Sequence, residues 1–196
     1  AEEIEVFQLS QLALLTGASL HLQQISTAKS IEIISEAKSN GALITCEVSP
    51  HHISLDESLI TSFDARYKVL PPLRSKQELT RIKEHMTSVD AIATGHSPCQ
   101  DHLKHQAYTE APFGTIGLET ALGASIKYLD IPLEEILRLI SWSPAEIAGS
   151  VGIPDIPSRH SRDHRAVDRF RGNRGMRSGY PGTDRCSDPG LVSNTI

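Results

Sequence analysis

The spacing of apolar residues in the first 150 positions alternates between a helical and a strand-like period. Apolar residues from Ile4 to Leu15 recur near one helical face, and Gly17 is a suitable C-terminal stop. Residues 20–25 then alternate in the manner of a half-buried strand. The chain is therefore predicted to begin with a helix followed by a strand.

The same alternation continues for two further rounds. Ser26 or Thr27 is placed to cap a helix over 28–39, and 42–48 reads as a second strand. The capping box Ser75–Glu78 begins another helix, and 89–94 is a third strand. Strands that alternate with helices predict a parallel α/β sheet or barrel.

The remaining segments up to residue 150 are less regular. A short extended piece is predicted at 67–70, a polar loop at 99–113, and helices at 115–129 and 132–140, the second with Pro132 in its first turn. A capping box at Ser143–Glu146 predicts a last short helix that ends at Gly149. Three strands are too few for a (β/α)8 barrel of about 250 residues, so we expect the later part of such a barrel.

The chain changes character after residue 150. Residues 151–196 contain eight Arg, no Lys and five Asp, whereas residues 1–150 contain 11 basic and 19 acidic residues. We expect an Arg/Gly/Pro-rich tail without a core of its own. Three interpretations are open: a disordered tail, an RNA-binding arginine–glycine segment, or translation in a shifted reading frame, which we favour because the basic residue changes so abruptly.

Composition excludes several classes of function. The net charge of −5 and pI near 6.0 give no electrostatic reason for binding nucleic acid or an anionic membrane. The chain has no apolar run near the 18 residues of a membrane span. It opens on Ala1 with an acidic segment that is unlike a signal peptide. The absence of an initiator methionine is expected of a processed or truncated start. Three widely spaced cysteines fit a reducing compartment, so a cytoplasmic protein is expected.

The residue types and their spacing give only weak candidates for a metal site or a catalytic nucleophile. His51 and His52 are neighbours at a predicted strand end and would point to opposite faces, so packing or loop roles are favoured over metal binding. His102 and His105 have a spacing suited to a helix but lie in a polar loop, and His160 and His164 lie in the tail. Cys46 reads as a core residue in a strand.

No nucleophile elbow or phosphate loop is found in the sequence. The run Phe113–Gly117 reads as a loop that enters a helix, whose backbone N–H groups are suited to a small polar ligand. Residue types and spacing alone give a soluble α/β domain.

Several strings taken together resemble one family. HLQQIST, ITCEVSPHHISL, YKVLPPLRS, DAIATGHSPCQ and EAPFGTIGLETAL are similar, in order and spacing, to motifs of bacterial dihydroorotases, the zinc-dependent cyclic amidohydrolases of pyrimidine biosynthesis. The resemblance covers about residues 1–150 and implies roughly strands six to eight of an amidohydrolase-type (β/α)8 TIM barrel. The family's first strands, with their H-x-H pair, have no counterpart here.

The positions that carry chemistry in the family have changed. Gln24 stands at the position of a histidine zinc ligand, Gly95 at that of the catalytic aspartate, and Leu70 and Cys99 at positions of substrate contacts. Phe113 and Gly114, whose backbone touches substrate in the family, still match. Framework residues are retained, namely Pro50, Pro71, Pro72, Arg74 and Pro98. The resemblance thus implies a retained fold with no intact catalytic or metal site, and no zinc bound.

Three hypotheses follow from the resemblance. The first is a non-catalytic dihydroorotase-like protein acting through contacts, with aspartate carbamoyltransferase or a second copy of itself as partner. The second is a dihydroorotase, interconverting N-carbamoyl-L-aspartate and dihydroorotate, that is completed by a separate N-terminal half. The third is a degenerate gene product without a selected function.

Overall fold

The computed structural model describes residues 1–149, which form a three-stranded parallel sheet covered by helices. The strands are β1 (Leu20–Leu22), β2 (Ile44–Val48) and β3 (Ala91–Ile92). The helices are α1 (Glu2–Thr16), α2 (Ala28–Ser39), α3 (Pro50–Ser54), α4 (Lys76–Glu84), α5 (Asp101–Lys104), α6 (Ala121–Tyr128), α7 (Leu133–Leu137) and α8 (Ser143–Ile147). Short 3₁₀ turns lie at Glu57–Ile60, Ala65–Tyr67 and Met86–Ser88, and a π-helical turn joins α7 to α8 at Arg138–Trp142.

The central strand β2 gives the sheet two different faces. β2 pairs with β1 through Leu20↔Ile44 and Leu22↔Cys46, and with β3 through Val48↔Ile92. Side chains alternate along a strand, so Ile44, Cys46 and Val48 are buried on one face against the helices. Each βα crossover places its helix on that face, which agrees with the predicted α/β class.

The opposite face of the sheet is polar. His21 on β1 contacts Thr45 Oγ1 through Nδ1 at 2.8 Å and Glu47 Oε2 through Nε2 at 3.2 Å. These side chains are partly buried. The two faces therefore differ in kind: one is the apolar core and the other carries a hydrogen-bonded polar layer.

The observed strands are shorter than the predicted ones. β1 ends at Leu22 because Gln24 has a positive φ of 52°, a backbone conformation that cannot continue a ladder. β3 covers only Ala91–Ile92 of the predicted 89–94, and the chain turns at Gly95, where φ is 61°. β2 begins two residues later than predicted. These strands are short, and tight turns follow β1 and β3.

Several other predicted elements are wrong in extent. The helix predicted at 115–129 begins at Ala121, because Thr115 forms a parallel bridge with His96. Ser143 does not cap a helix: it is itself helical, with φ −60° and ψ −44°, and its Oγ accepts from Arg138 Nη1 at 2.6 Å. The extended piece at 67–70 is preceded by a 3₁₀ turn, and α5 lies inside the predicted polar loop. The tail, 151–196, lies outside the described residues.

The N-terminus of α2 is held by carboxylates from two other helices. Thr27 caps it as predicted, and its Oγ1 accepts from Ser30 N. Glu2 of α1 accepts from the backbone N–H groups of Ser26 and Thr27 at 3.0 and 3.1 Å. Glu78 of α4 accepts from Ala28 N at 2.6 Å. The free N–H groups at a helix start attract carboxylates, so this cap binds α1, α2 and α4 together.

Arg74 completes the cluster around Glu2. Its Nη2 lies 3.2 Å from Glu2 Oε2, and its Nε donates to Ser26 Oγ at 3.0 Å. Burial opposes ionisation of Glu2, but the hydrogen bonds from Ser26 and the charge of Arg74 outweigh it and lower the pKa of that carboxyl. Glu2 is therefore a charged, fully partnered group in the structure.

Replacing Glu2 by Ala should destabilise the fold, because the N–H groups of Ser26 and Thr27 lose their acceptor. We expect a loss of about 2–3 kcal/mol in the free energy of unfolding, measured by urea denaturation. Glu3→Ala, an exposed change in the same helical turn, is the matched control and should cost under about 0.5 kcal/mol. Equal losses in the two variants would contradict this role for Glu2.

Candidate functional site

The residues singled out in the sequence lie on loops at the carboxyl end of the sheet. Gln24 follows β1 and is partly exposed, and Leu70, in the loop between α3 and α4, is 63% exposed. Gly95 and Cys99 follow β3, and the loop before α6 carries Phe113 and Gly114. In parallel α/β folds this edge is where ligands bind.

The loop of residues 113–118 is bound directly to the end of β3. His96 Nδ1 accepts from the N–H groups of Gly117 and Leu118 at 3.2 and 3.3 Å. Ser97 N donates to Thr115 O at 2.8 Å, and Gly114 N donates to Lys68 O at 2.9 Å. Two backbone donors that the sequence offered to a ligand, those of Gly114 and Gly117, are thus used within the protein, as is that of Leu118.

Two glycines make this close approach of the loop possible. A Cβ built on Gly117 would lie 2.1 Å from Thr94 O, and one on Gly114 would lie 2.5 Å from Ser97 O. Neither distance is compatible with a side chain. The loop and the strand end therefore form one packed unit, and Gly114, predicted to touch substrate, is buried in it.

A buried lysine binds the segment that precedes this loop. Lys68 is 8% exposed, and its Nζ donates to the carbonyl oxygens of Tyr108, Thr109 and Ala111 at 2.6, 3.2 and 2.7 Å. The same ammonium lies 4.8 Å from the centre of the Phe113 ring. Sequence analysis missed this role, since a single lysine between apolar residues carries no local signal.

His51 and His52 are both core residues, but the predicted geometry is wrong. They lie on the short helix α3 rather than at a strand end, and are 2% and 1% exposed. His52 contacts Ser49 Oγ and Pro71 O, at 2.8 and 2.9 Å. The pair Ser49-Pro50 is typical of a helix start and was the signal that could have identified α3.

Burial dominates the electrostatics of the site. It lowers the pKa of His51 to about 4, helped by the neighbouring His52 and His96, and it also lowers the pKa of His52. Burial raises the pKa of the Cys46 thiol to about 12, so this cysteine is a core residue, as predicted, and no nucleophile.

The described residues do not fit a zinc ion. Across residues 1–149, no group of three His, Cys, Asp or Glu side chains is arranged to hold a metal. Gln24 offers only a neutral amide and Gly95 no side chain. His105 contacts Asp101 Oδ2 at 3.0 Å, but both side chains are exposed, at the two ends of α5. His160 and His164 lie outside the described residues.

Acid should destabilise the protein through His51. Its pKa in the folded state is below the ordinary 6.5, so the unfolded chain binds an extra proton between pH 6.5 and about 4. Stability should fall as the pH drops through that range, by about 3 kcal/mol at most. Glu2, whose pKa is lowered from 4.5, loses its contribution only at lower pH.

Urea denaturation at intervals from pH 7 to pH 4.5 measures this slope. His51→Gln should reduce it and leave the part that His52 contributes, and His105→Gln, a change of an exposed histidine, should leave it as in the native chain. An unchanged slope in His51→Gln would show that other groups cause the acid sensitivity.

Comparison with known proteins finds dihydroorotases among the relatives of this chain. The chain is 37% identical over 156 residues to a dihydroorotase of Pelotomaculum thermopropionicum, covering 76% of this chain and 36% of the relative. It is 37% identical over 143 residues to a dihydroorotase of Deinococcus radiodurans, covering 71% and 34%. The chain thus spans about a third of the length of these relatives. No family model matches it.

Solved structures agree on the fold. A D-hydantoinase (dihydropyrimidinase) from Thermus sp. superposes with a TM-score of 0.68 at 20% identity, over 74% of this chain and 34% of that one. An L-hydantoinase (dihydropyrimidinase) from Arthrobacter aurescens gives 0.65 at 24% identity, over 73% and 35%. These neighbours are amidohydrolases built on a TIM barrel. By its sequence, the chain belongs to the dihydroorotase family.

Proposed function

We propose that this chain is a non-catalytic member of the dihydroorotase family. The observation that carries the proposal is Gly95, which stands at the position of the family's catalytic aspartate and has no side chain. In the family that carboxylate transfers the proton during opening or closure of the cyclic amide, and removal of such a group commonly costs about 10²–10⁴ in rate. Gln24 and Leu70 remove a zinc ligand and a substrate contact as well.

The structure gives further support to a loss of catalysis. Gly114 N donates to Lys68 O, so one retained family contact is engaged inside the protein. Leu70 is 63% exposed and cannot hydrogen-bond through its side chain. Phe113 is 51% exposed above the Lys68 ammonium. This edge of the sheet therefore presents apolar side chains in place of polar substrate ligands.

The described residues correspond, in this proposal, to strands six to eight of the family's barrel. Three parallel strands in chain order, each joined to the next by a helical crossover, support this correspondence. The share of the relatives that is covered, 36% and 34%, also fits three of eight βα units. The positions of Gln24 and Gly95 just after β1 and β3 are those expected of strand-end ligands.

A chain without catalytic groups would act by binding another protein. Helix α1 exposes large apolar side chains on its outer side: Ile4 (65% exposed), Phe7 (53%), Leu12 (55%) and Leu15 (82%). Such a surface is typical of a protein interface. Aspartate carbamoyltransferase, the preceding enzyme of the pathway, is the partner we propose, with a second copy of this chain as the alternative.

An active dihydroorotase assembled with another chain is the second candidate. Among the described strands β1 pairs only with β2, and the polar face bearing His21 and Glu47 resembles the inner layer of a barrel. A chain that supplies the preceding strands and their metal ligands would extend this edge and close the barrel.

Two assays separate the candidates. The non-catalytic proposal predicts less than about 0.1 equivalent of zinc by elemental analysis of the purified full-length chain, and no hydrolysis of dihydroorotate above the uncatalysed rate. The lack of hydrolysis should persist after a dihydroorotase N-terminal half is supplied in trans. Zinc uptake together with hydrolysis in that mixture would establish the second candidate.

Partner choice is tested by co-purification. The tagged chain should retain aspartate carbamoyltransferase, and a Leu15→Glu variant should release it by placing a charge in the exposed face of α1. Glu5→Lys, an exposed change on the same helix, is the control for general charge effects. A native chain that retains no transcarbamoylase would remove this partner from the proposal.

A further inference from the structure

His96 holds the loop of residues 113–118 through a single ring nitrogen. Its Nδ1 accepts from the backbone N–H groups of Gly117 and Leu118, at 3.2 and 3.3 Å. A backbone N–H group can only donate, so Nδ1 is unprotonated and the hydrogen of the neutral ring lies on Nε2. Both contacts exist only while the ring is neutral, because a protonated imidazole carries a hydrogen on each nitrogen and can no longer accept.

The other contacts of the loop use acceptors that do not titrate. Ser97 N donates to Thr115 O at 2.8 Å. Gly114 N donates to Lys68 O at 2.9 Å, and in both pairs the two groups belong to the backbone. The loop is therefore attached in two different ways: its first half is bound by backbone carbonyl groups, and its second half is bound by an imidazole.

The second half of the loop leads directly into α6. Gly117 O accepts from Thr120 N and Ala121 N at 3.2 and 2.9 Å, so the residue that binds His96 also begins the hydrogen bonds of this helix. Helix α6 packs in turn on α3. Gly117 is buried, and a buried N–H group that loses its acceptor is costly to keep in place.

His96 is placed to take up a proton. The residue is exposed, so water can solvate a charged ring. Histidine is the side chain that ordinarily changes its charge between pH 5 and 8. Protonation would turn Nδ1 into a donor that faces two other donors, and the exposed ring can leave that repulsive arrangement by turning toward water.

The ionisable groups around His96 include one other histidine. His51 of α3 faces the same segment, since a Cβ built on Gly117 would lie 3.0 Å from His51 Nε2. Burial, with the neighbouring His52 and His96, lowers the pKa of His51 to about 4, so that ring stays largely neutral down to pH 5. The other charged or titratable residues on the segments around the ring are Lys68, Cys99, Asp101 and Glu119.

We propose that His96 is an acid-sensitive latch: the neutral ring holds the second half of the loop, and protonation of the ring releases residues 116–118 and the start of α6. The first half stays bound through Ser97 and Gly114. The inference uses neither the assignment of position 95 nor any step of catalysis. It makes the shape of the carboxyl edge of the sheet, where ligands bind in parallel α/β folds, depend on pH.

Amide hydrogen exchange of the full-length chain tests the latch. The protection factor of Gly117 should fall about 10-fold or more from pH 8 to pH 5, because its N–H group loses its acceptor. Ser97, whose amide is bound to a backbone carbonyl in the same junction, is the internal reference and should keep its protection. Constant protection of Gly117, or an equal loss at both amides, would overturn the proposal.

Two substitutions of His96 separate its charge from its shape. In His96→Asn the side-chain oxygen replaces Nδ1 as acceptor and does not titrate, so Gly117 should stay protected from pH 8 to pH 5. In His96→Ala the acceptor is absent, so protection should be lost at both pH values. His102→Asn, which removes an exposed histidine of α5, should behave as the native chain. A pH dependence that persists in His96→Asn would contradict the latch.

The ring of His96 gives a further test that needs no variant. Nitrogen NMR of the native chain should show the hydrogen on Nε2 at pH 8 and hydrogens on both nitrogens at pH 5. The amide resonance of Gly117 should move with the same midpoint. A hydrogen on Nδ1 at pH 8, or two different midpoints, would refute the latch. Neither result bears on the proposed function, because no substrate, metal or partner is used.

Discussion

The start of α2 is the point on which the rest of the structure depends. Its first N–H groups follow β1 directly, and a helix start that is buried without acceptors costs roughly 1–3 kcal/mol for each unpaired group. Here the acceptors come from outside the helix, from Glu2 on α1 and Glu78 on α4. One electrostatic requirement thus fixes the positions of three helices around β1, the strand that precedes Gln24.

This arrangement keeps the groups that hold the helices together apart from the positions at the carboxyl end of the sheet. The cap uses Arg74 and Ser26, whereas the segments that follow β1 and β3 carry Gln24 and Gly95. The cap therefore does not depend on the side chains at positions 24 and 95.

The sequence predicted what depends on local chemistry and missed what depends on distant contacts. Helix α2 was predicted closely, because the capping residue Thr27 and the spacing of the buried Ile31 and Ile34 indicate the same helix. The Ser143 capping box was wrong because a π-helical turn carries the helix through it, a tertiary effect without a sequence signature. Similarly, the resemblance to the family pointed to Gly95 as the position of its catalytic acid, but only the coordinates place the His51 ring against that glycine.

The short parallel strands also set an order for assembly. The pair Leu20↔Ile44 closes a loop of 24 residues, whereas Glu47↔Ala91 closes one of 44 residues. The entropy of closure favours the shorter loop by about 0.5 kcal/mol, and α2 lies within it. The unit from β1 to β2 is therefore the more local part of the sheet. The loop of residues 113–118 docks on the end of β3, so its position depends on the longer of the two closures.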